Sequence, residues 1–366
     1  MKRLLLGFMI ILTCSIGCQY TSTDSSEEYD LLKIQTLATT FDDELGEMGI
    51  YYGNFHSHST ISGAQGTPEE VLTWARDVAG FDFYAMTDHA EDITSSEWKQ
   101  MQEATDQFNE DGVFVALRGF EWSSPYFGNV CVYNTNRYTN CVVTPFLFMF
   151  YFWLNCNDGL AQFNHPGREA LMFRNFLYVK ALADNFFAVE TGNKDTGNND
   201  NTYLNKYPDA LDKGWRVAPT SNQDNHSMQT NSHRTVAIMN SFTRQGLIDA
   251  MKARRIYSSD DPNMEIIFKH GDAWMGSEIV TLDDTVKFLI WIRDDEPVKK
   301  VTVYTNQGAV AAEFIPDSVV YEVKWEPEIE ISGSTYFYVQ VEEENLLDDD
   351  IETQIAVTAP IWVTQN

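Results

Sequence analysis

Positive charge is scarce in this chain: its 366 residues carry 25 Lys and Arg against 54 Asp and Glu, a formal net charge of −29. A sequence-independent grip on nucleic acid or on anionic membrane needs a positive field, so charge speaks against both partners. A metal cluster could still hold a phosphate, because bound cations dominate the local field. Cysteine is scarce as well, with five in all and none at zinc-finger spacing. Cys131, Cys141 and Cys156 lie beyond the N-terminal segment, and an odd number in an oxidising compartment leaves one unpaired or all three reduced. Cys131 and Cys141 flank Asn134-Thr135-Asn136, where a hairpin could pair them; buried free thiols are the other reading. No apolar run reaches the roughly 20 residues of a membrane span. A Walker loop, a Gly-x-Ser-x-Gly elbow, a dinucleotide fingerprint and internal repeats are all absent from the sequence. What is present is ordinary globular material, 43% hydrophobic and 22% charged, in a chain long enough for two domains.

The first residues read as an address. Lys2 and Arg3 precede an apolar run from Leu4 to Ile16, followed by Gly17 and Cys18. This resembles a bacterial lipoprotein signal, in which the cysteine becomes the lipidated N-terminus; ordinary secretion is the plainer alternative. The polar stretch Thr21 to Glu28 suits a tether. The expected location is therefore outside the cytoplasm, lipid-anchored to a bacterial membrane on its periplasmic or cell-surface face.

Four segments are expected: a signal at 1–18, a tether and N-terminal segment at 19–48, an α/β domain at 49–261 and a small antiparallel β-sandwich at 262–366. In the α/β part, Thr67-Pro68-Glu69-Glu70 predicts a helix start, with a capping box and proline in the first turn. Phe81 to Met86 predicts a buried strand running into Thr87-Asp88-His89, and Val113 to Leu117 another ending near Glu121. Pro145 to Leu154 predicts a buried helix. Strands are expected at Ala161 to Asn164, Phe186 to Glu190 and Arg216 to Thr220, and Thr243 caps a last helix. Strand and helix in alternation predict a parallel sheet. Beyond Pro262 helical periodicity gives way to strands such as Val286 to Ile292, Val298 to Tyr304 and Gln354 to Val363.

Six of the seven histidines fall between residues 56 and 233. His56 and His58 are two residues apart, on one face if the segment is extended. Neutral imidazole is the commonest metal ligand. Asp88-His89, Glu121, His165 and the Asp224-Asn225-His226 pair each follow an expected strand, and in α/β folds ligands gather at the carboxyl ends of strands. Each alone reads equally well as a cap or a core hydrogen-bonding group. Their convergence predicts a metal site.

At this point the residues resemble a family. Asn54-Phe55-His56-Ser57-His58-Ser59, Met86-Thr87-Asp88-His89, Phe163-Asn164-His165-Pro166 and Asp224-Asn225-His226 look like the motifs of the PHP (polymerase and histidinol phosphatase) superfamily. With Phe186 to Glu190, Leu211 to Arg216 and Ala359 to Val363, the set is similar to its CehA/McbA-like metallohydrolase branch. The resemblance implies a distorted (β/α)7 barrel with two or three divalent ions (Zn, Mn or Fe) at its strand ends. It implies that His56, His58, Glu121 and Asp224 hold one metal, and that Glu121 bridges to a second held by His165. His89 and His226, with Asp88, would complete the cluster. Gly63 stands where many members carry Asp, and no histidine lies between Glu121 and His165, where some members supply another ligand. Glu190 is a second carboxylate for that place, or a structural one.

A hydroxide bridging two such ions is a nucleophile at neutral pH. The expected function is a metal-dependent hydrolase, a phosphoesterase acting on a small phosphorylated mono- or diester. Glu121, Asp88 and His89 are the expected catalytic groups, and Asn164, Arg168, Arg174, Lys194 and Arg255 candidates around the substrate. Hydrolysis of a carboxylic ester, amide or carbamate is the second reading, and a non-catalytic surface glycan- or protein-binding lipoprotein the third.

Overall fold

The computed structural model describes residues 39–193, 201–345 and 353–366. The signal, Cys18, most of the tether and Lys194 lie outside the described residues. Two units are distinguished. The first ends at Glu44 and is described only from Thr39, two residues before α1 (Phe41–Leu45); the second is residues 45–366.

The second unit opens with β1 (Gly49–Asn54). Helix α2 (Pro68–Asp77) starts as the sequence predicts: Thr67 accepts from the Glu70 amide, and the Glu70 side chain accepts from the Thr67 amide. It buries Val71, Leu72, Trp74 and Ala75. Strand β2 (Phe83–Met86) follows, then α3 (Ser95–Phe108), opened by a second capping box at Thr94 and Glu97. Next come β3 (Val115–Ser124), β4 (Gly128–Tyr133), α4 (Leu147–Cys156), β5 (Leu160–Phe163) and the short turn α5 (Phe173–Phe176). The series ends with β6 (Phe186–Asn193), β7 (Asn201–Thr202), α6 (Tyr207–Asp212), β8 (Ala218–Asn222), β9 (Arg234–Met239), α7 (Arg244–Ala253) and β10 (Ile256–Ser259).

The sheet is mixed rather than parallel. Strands β1/β2, β2/β3, β5/β6 and β6/β8 pair parallel, while β3/β4, β4/β5, β1/β9 and β9/β10 pair antiparallel. The reason is the connection: β3 and β4 are joined by a three-residue turn, which an antiparallel pair accepts and a parallel pair cannot. Ser221 N–H donates to Thr235 Oγ1 (3.2 Å) and Thr235 Oγ1 donates to Ser221 O (3.1 Å), bringing the last strand of the run back to β9. Helix α4 is not the buried helix expected. It buries Leu147, Phe150, Tyr151 and Leu154, but leaves Phe148 and Phe152 exposed. Cys131, Cys141 and Cys156 are free thiols, buried, half-buried and exposed in that order, so the hairpin pairing is not formed. No helix among the described residues is long and apolar enough to cross a membrane.

The C-terminal part is built of strands: β11 (Glu265–His270), β12 (Ala273–Trp274), β13 (Glu278–Thr281), β14 (Thr285–Lys287), β15 (Leu289–Arg293), β16 (Val298–Thr305), β17 (Ala309–Phe314), β18 (Glu322–Trp325), β19 (Glu328–Glu330), β20 (Ser334–Glu344), β21 (Thr353–Thr358) and β22 (Ile361–Gln365). Strands β12, β11, β15 and β18 form a separate sheet, whereas β20 and β21 continue the main one through the β10/β21 pair. Phe288 packs between Phe268 and Phe337, with ring centroids 5.2 Å from each, and so joins the two layers. The single strand expected at Gln354 to Val363 breaks at Pro360, which has no amide hydrogen to give a ladder. Its halves pair with opposite ends of β20.

Candidate metal centre

Five strands, β1, β2, β3, β5 and β8, deliver the expected donors to one end of the sheet. His56 and His58 lie just past β1 rather than on it; an isolated bridge between Ser57 and Asn225 keeps the segment extended, so both rings still face one spot. Glu121 lies inside β3, opposite Cys131 of β4, and a further bridge links it to His89 beyond β2. His165 and Asp224 take positive φ of 30° and 48°, conformations that turn both side chains inward at a local cost.

The distances describe one interlocked cluster. His58 Nε2 is 3.0 Å and His56 Nε2 3.3 Å from Asp224 Oδ1, and the two Nε2 atoms are 3.3 Å apart. Glu121 Oε1 lies 3.2 Å from His56 Nε2 and 3.5 Å from His165 Nε2, while Oε2 lies 2.9 Å from His89 Nδ1 and 3.7 Å from His58 Nε2. The rings of His58, His89 and His226 form a third group, with His58 4.5 Å from His89 and 4.2 Å from His226 between centroids. Donors bound tetrahedrally to one ion at about 2.1 Å stand roughly 3.4 Å apart, the spacing found here. The three groups share His56 and His58, and because a single Nε2 lone pair serves one ion they are not three independent complete sites; the two oxygens of Glu121 suit it to bridge.

The hydrogen bonds fix which nitrogen faces inward. His56 Nδ1 meets Glu190 Oε1 at 2.8 Å, an acceptor, so it carries the proton. His226 Nδ1 donates to the Asp224 carbonyl at 2.8 Å. Ser62 Oγ donates its only hydrogen to Asp88 Oδ1 (2.7 Å) and therefore accepts from His58 Nδ1 (3.0 Å). His56, His58 and His226 thus present Nε2 lone pairs toward the cluster, as metal-bound imidazoles oriented by outer partners do. Both ring nitrogens of buried His165 lack any hydrogen-bond partner. Imidazoles converging on carboxylates, with an orphaned imidazole among them, are a donor set that fits divalent cations.

The electrostatics agree. Burial opposes charge on Glu121, yet His56, His165 and His89 hold its carboxyl well below the usual range. Burial likewise opposes charge on Asp224, which His56 and His58 hold well below the usual value. Burial opposes charge on His56, yet Cys131, Asp224, Glu190 and Glu121 hold it well above the ordinary imidazole value, so with no ion bound a proton takes the Nε2 position that a cation would take.

The remaining expected residues divide. Asp88 sits beside His89 but does not face the cluster: its Oδ1 accepts from Ser59 N–H (2.7 Å), Ser59 Oγ (2.9 Å), Ser62 N–H (3.2 Å) and Ser62 Oγ (2.7 Å). It acts on the centre through Ser62 and His58, a relay that nothing in the local sequence marks. Asp88→Ala should weaken metal affinity by roughly 10–100-fold without removing a ligand, which metal titration monitored by competition with a chelating dye would read. Asn164 Nδ2 donates to Glu121 Oε1 (2.8 Å). Arg168 contacts Asp224 Oδ2 at 3.1 Å on the rim. Arg255 does not join the site; its Nε donates to the Ile238 carbonyl (3.2 Å), at the opposite end of β10. Arg174 lies over the Phe127 ring, 5.6 Å from its centroid. His233 is held by Ser221 Oγ at 2.6 Å, outside the cluster. Ser123, 2.8 Å from His89 Nδ1, was not anticipated.

A cavity of about 360 Å³ opens at His165, lined also by Ser123, Asn129, Arg168 and Met172. It adjoins one of about 520 Å³ that shares Arg168 and adds Lys206 and Lys213. Arg168, Lys206 and Lys213 stand at this mouth together with Glu169 and Asp209; Arg168 is paired with Asp224 (3.1 Å) and Lys206 with Asp209 (3.6 Å).

Residues 72–146 match the family described as "Protein of unknown function (DUF3604)". An uncharacterised protein of Chlamydia pneumoniae is 21% identical over 367 residues, covering 87% of this chain and 58% of its own length. An uncharacterised protein of Chlamydia muridarum is 20% identical with the same coverage, 87% and 58%. The chain thus spans 58% of the length of these curated relatives. Among solved structures, it is similar to a two-domain protein of Bacteroides vulgatus containing a predicted PHP-like metal-dependent phosphoesterase (TM-score 0.48, 15% identity, 86% of this chain and 96% of that one). It is also similar to a lesion-specific endonuclease of Pyrococcus furiosus (TM-score 0.40, 13% identity, 62% and 63% covered).

Proposed function

We propose that the protein is a metal-dependent hydrolase of small phosphate mono- or diesters. The observation that carries this reading is the convergence of imidazoles on Glu121 and Asp224 beside a cavity with Arg168 at its rim. His56, His58, Asp224, Glu121 and His165 would hold two divalent ions, and His89 with His226 could complete a third position. Such ions, when bound, supply Lewis acidity and lower the pKa of water. The chain's own groups do the rest. Arg168, held in place through Asp224, offers a guanidinium to a substrate anion. Glu190 and Asp88 orient His56 and His58. His89, partly exposed and held at Nδ1 by Glu121 and Ser123, would hand a proton to the leaving oxygen if it is not taken up by a third ion. The cavity suits a small ester better than a duplex, and a net charge of −29 favours the same choice. Within the PHP superfamily the motifs fit the CehA/McbA-like branch, and lipidation at Cys18 would place the enzyme on a bacterial membrane.

Arg168→Ala is expected to raise KM for a phosphate ester about tenfold or more while changing kcat little, since the contact is with the ground-state anion. The function itself is tested by loading the chain with Zn2+ or Mn2+ and assaying generic phosphate mono- and diesters. Phosphate release dependent on the metal supports the reading. Bound metal with no release from either ester, but turnover of a carboxylic ester or carbamate, overturns it.

A further inference from the structure

A second cluster of carboxylates lies away from the histidines, where the turn after β10 meets the C-terminal strands. Asp261 follows β10, Asp294 follows β15, and Glu343 sits near the end of β20; their nearest oxygens lie within 4.8 Å of one another. Acidic clusters are common on surfaces and need no ligand. This one is not on the surface: Glu343 is 0% exposed and Asp261 2%. Both oxygens of Glu343 are buried without a hydrogen-bond partner, as is Oδ2 of Asp294.

Local structure commits the turn to this arrangement. Asp261 Oδ1 accepts from the amides of Asn263 (2.7 Å) and Met264 (2.8 Å), and Asp294 Oδ1 from that of Glu296 (3.1 Å). The guanidinium nearest Asp261 in charge, Arg234, donates instead to the carbonyls of Asn231 (2.7 Å) and His233 (2.8 Å). Opposite Glu343 in the β20/β21 ladder stands Gln354, whose side-chain carbonyl oxygen is also buried and unpaired. Directly opposed residues of an antiparallel pair share a face, so a neutral oxygen lies beside the carboxylates.

We propose that Asp261, Asp294 and Glu343 form an oxygen-only cation site, suited to Ca2+, that ties the C-terminal strands to the exit of β10. A set of carboxylate and carbonyl oxygens with no imidazole or thiolate selects hard cations over the transition metals of the histidine centre. Burying three carboxylates together without a cation is costly: burial, with repulsion from Asp294 and Asp261, pushes the Glu343 carboxyl up to about 11, and burial with Asp261 pushes Asp294 up to about 7. The proposal stands independently of the hydrolytic function, because none of these residues touches the histidine cluster.

The test is equilibrium dialysis with Ca2+ and a thermal melt on the full chain, its histidine centre already loaded with Zn2+ or Mn2+. The expected result is one Ca2+ per chain and a Tm rise of roughly 3–4 °C at a hundredfold excess over Kd. Glu343→Gln should abolish both, while its melt without Ca2+ is no lower than wild type, since the amide replaces a carboxyl already held neutral in the ion-free chain. Asp294→Asn, at a half-buried position, is the second variant and should abolish both as well if Glu343→Gln does not fold. Hydrolysis by either folded variant should stay within about twofold of wild type. No Ca2+ bound to the wild type, or binding retained in a folded variant, overturns the proposal and leaves three carboxyls sharing protons.

Discussion

Glu121→Gln is expected to lower metal-dependent hydrolysis by roughly a thousandfold or more, the loss of several kcal/mol of transition-state stabilisation. Among the described residues no other carboxylate reaches as many imidazoles: its oxygens lie within 3.7 Å of His56, His58, His89 and His165. The amide keeps the volume but removes the charge, and its NH2 would face an imidazole lone pair or the Asn164 amide that now donates to Oε1. Activity and metal content should fall together. Measuring both on one preparation, by ester assay and elemental analysis, checks the claim; full metal content with lost turnover would instead make Glu121 a base rather than a bridge.

Glu190→Gln is expected to destabilise the fold by about 2–4 kcal/mol and to weaken metal binding in the same variant. Glu190 is fully buried and is an acceptor on every side. Oε1 receives His56 Nδ1–H (2.8 Å) and Asn222 Nδ2 (3.1 Å), and Oε2 receives the His165 amide (2.7 Å) and Asn193 Nδ2 (3.0 Å). A glutamine in either orientation sets an NH2 against two donors. The carboxyl is held below its usual value, against its burial, chiefly by His56 and then His165, so the wild-type group stays ionised in that place. Denaturant melts of both chains without added metal read the stability term. An unchanged midpoint would show that this network is slack.

Much of the centre was legible because its donors are rare residue types placed at strand ends. His56, His58, His89, His165, Asp224 and His226 converge as their motifs imply. Glu121 belongs with them although it sits inside β3, because Gly128–Tyr133 is buried on both faces and shows no alternation to announce a hairpin partner. Asp88 was legible only as a neighbour of His89. Successive residues past a strand point to opposite sides, so one enters the cluster and the other meets Ser59 and Ser62. Hydrogen-bonded partners such as Ser62, Ser123 and Asn222 are common residues whose role exists only once distant segments meet. The same holds for the cluster at Asp261, Asp294 and Glu343, which comes from three separate strand ends. Mixed strand direction was missed because alternating strands and helices look alike whether or not short hairpins intervene.

The central claim is that the histidine cluster is a polynuclear metal site, and the most direct test is elemental analysis of the purified chain beside a His56→Ala/His58→Ala variant. Two or three divalent transition metals per chain, lost in the variant, are the predicted result. A chain that stays metal-free after supplementation with zinc or manganese would contradict it.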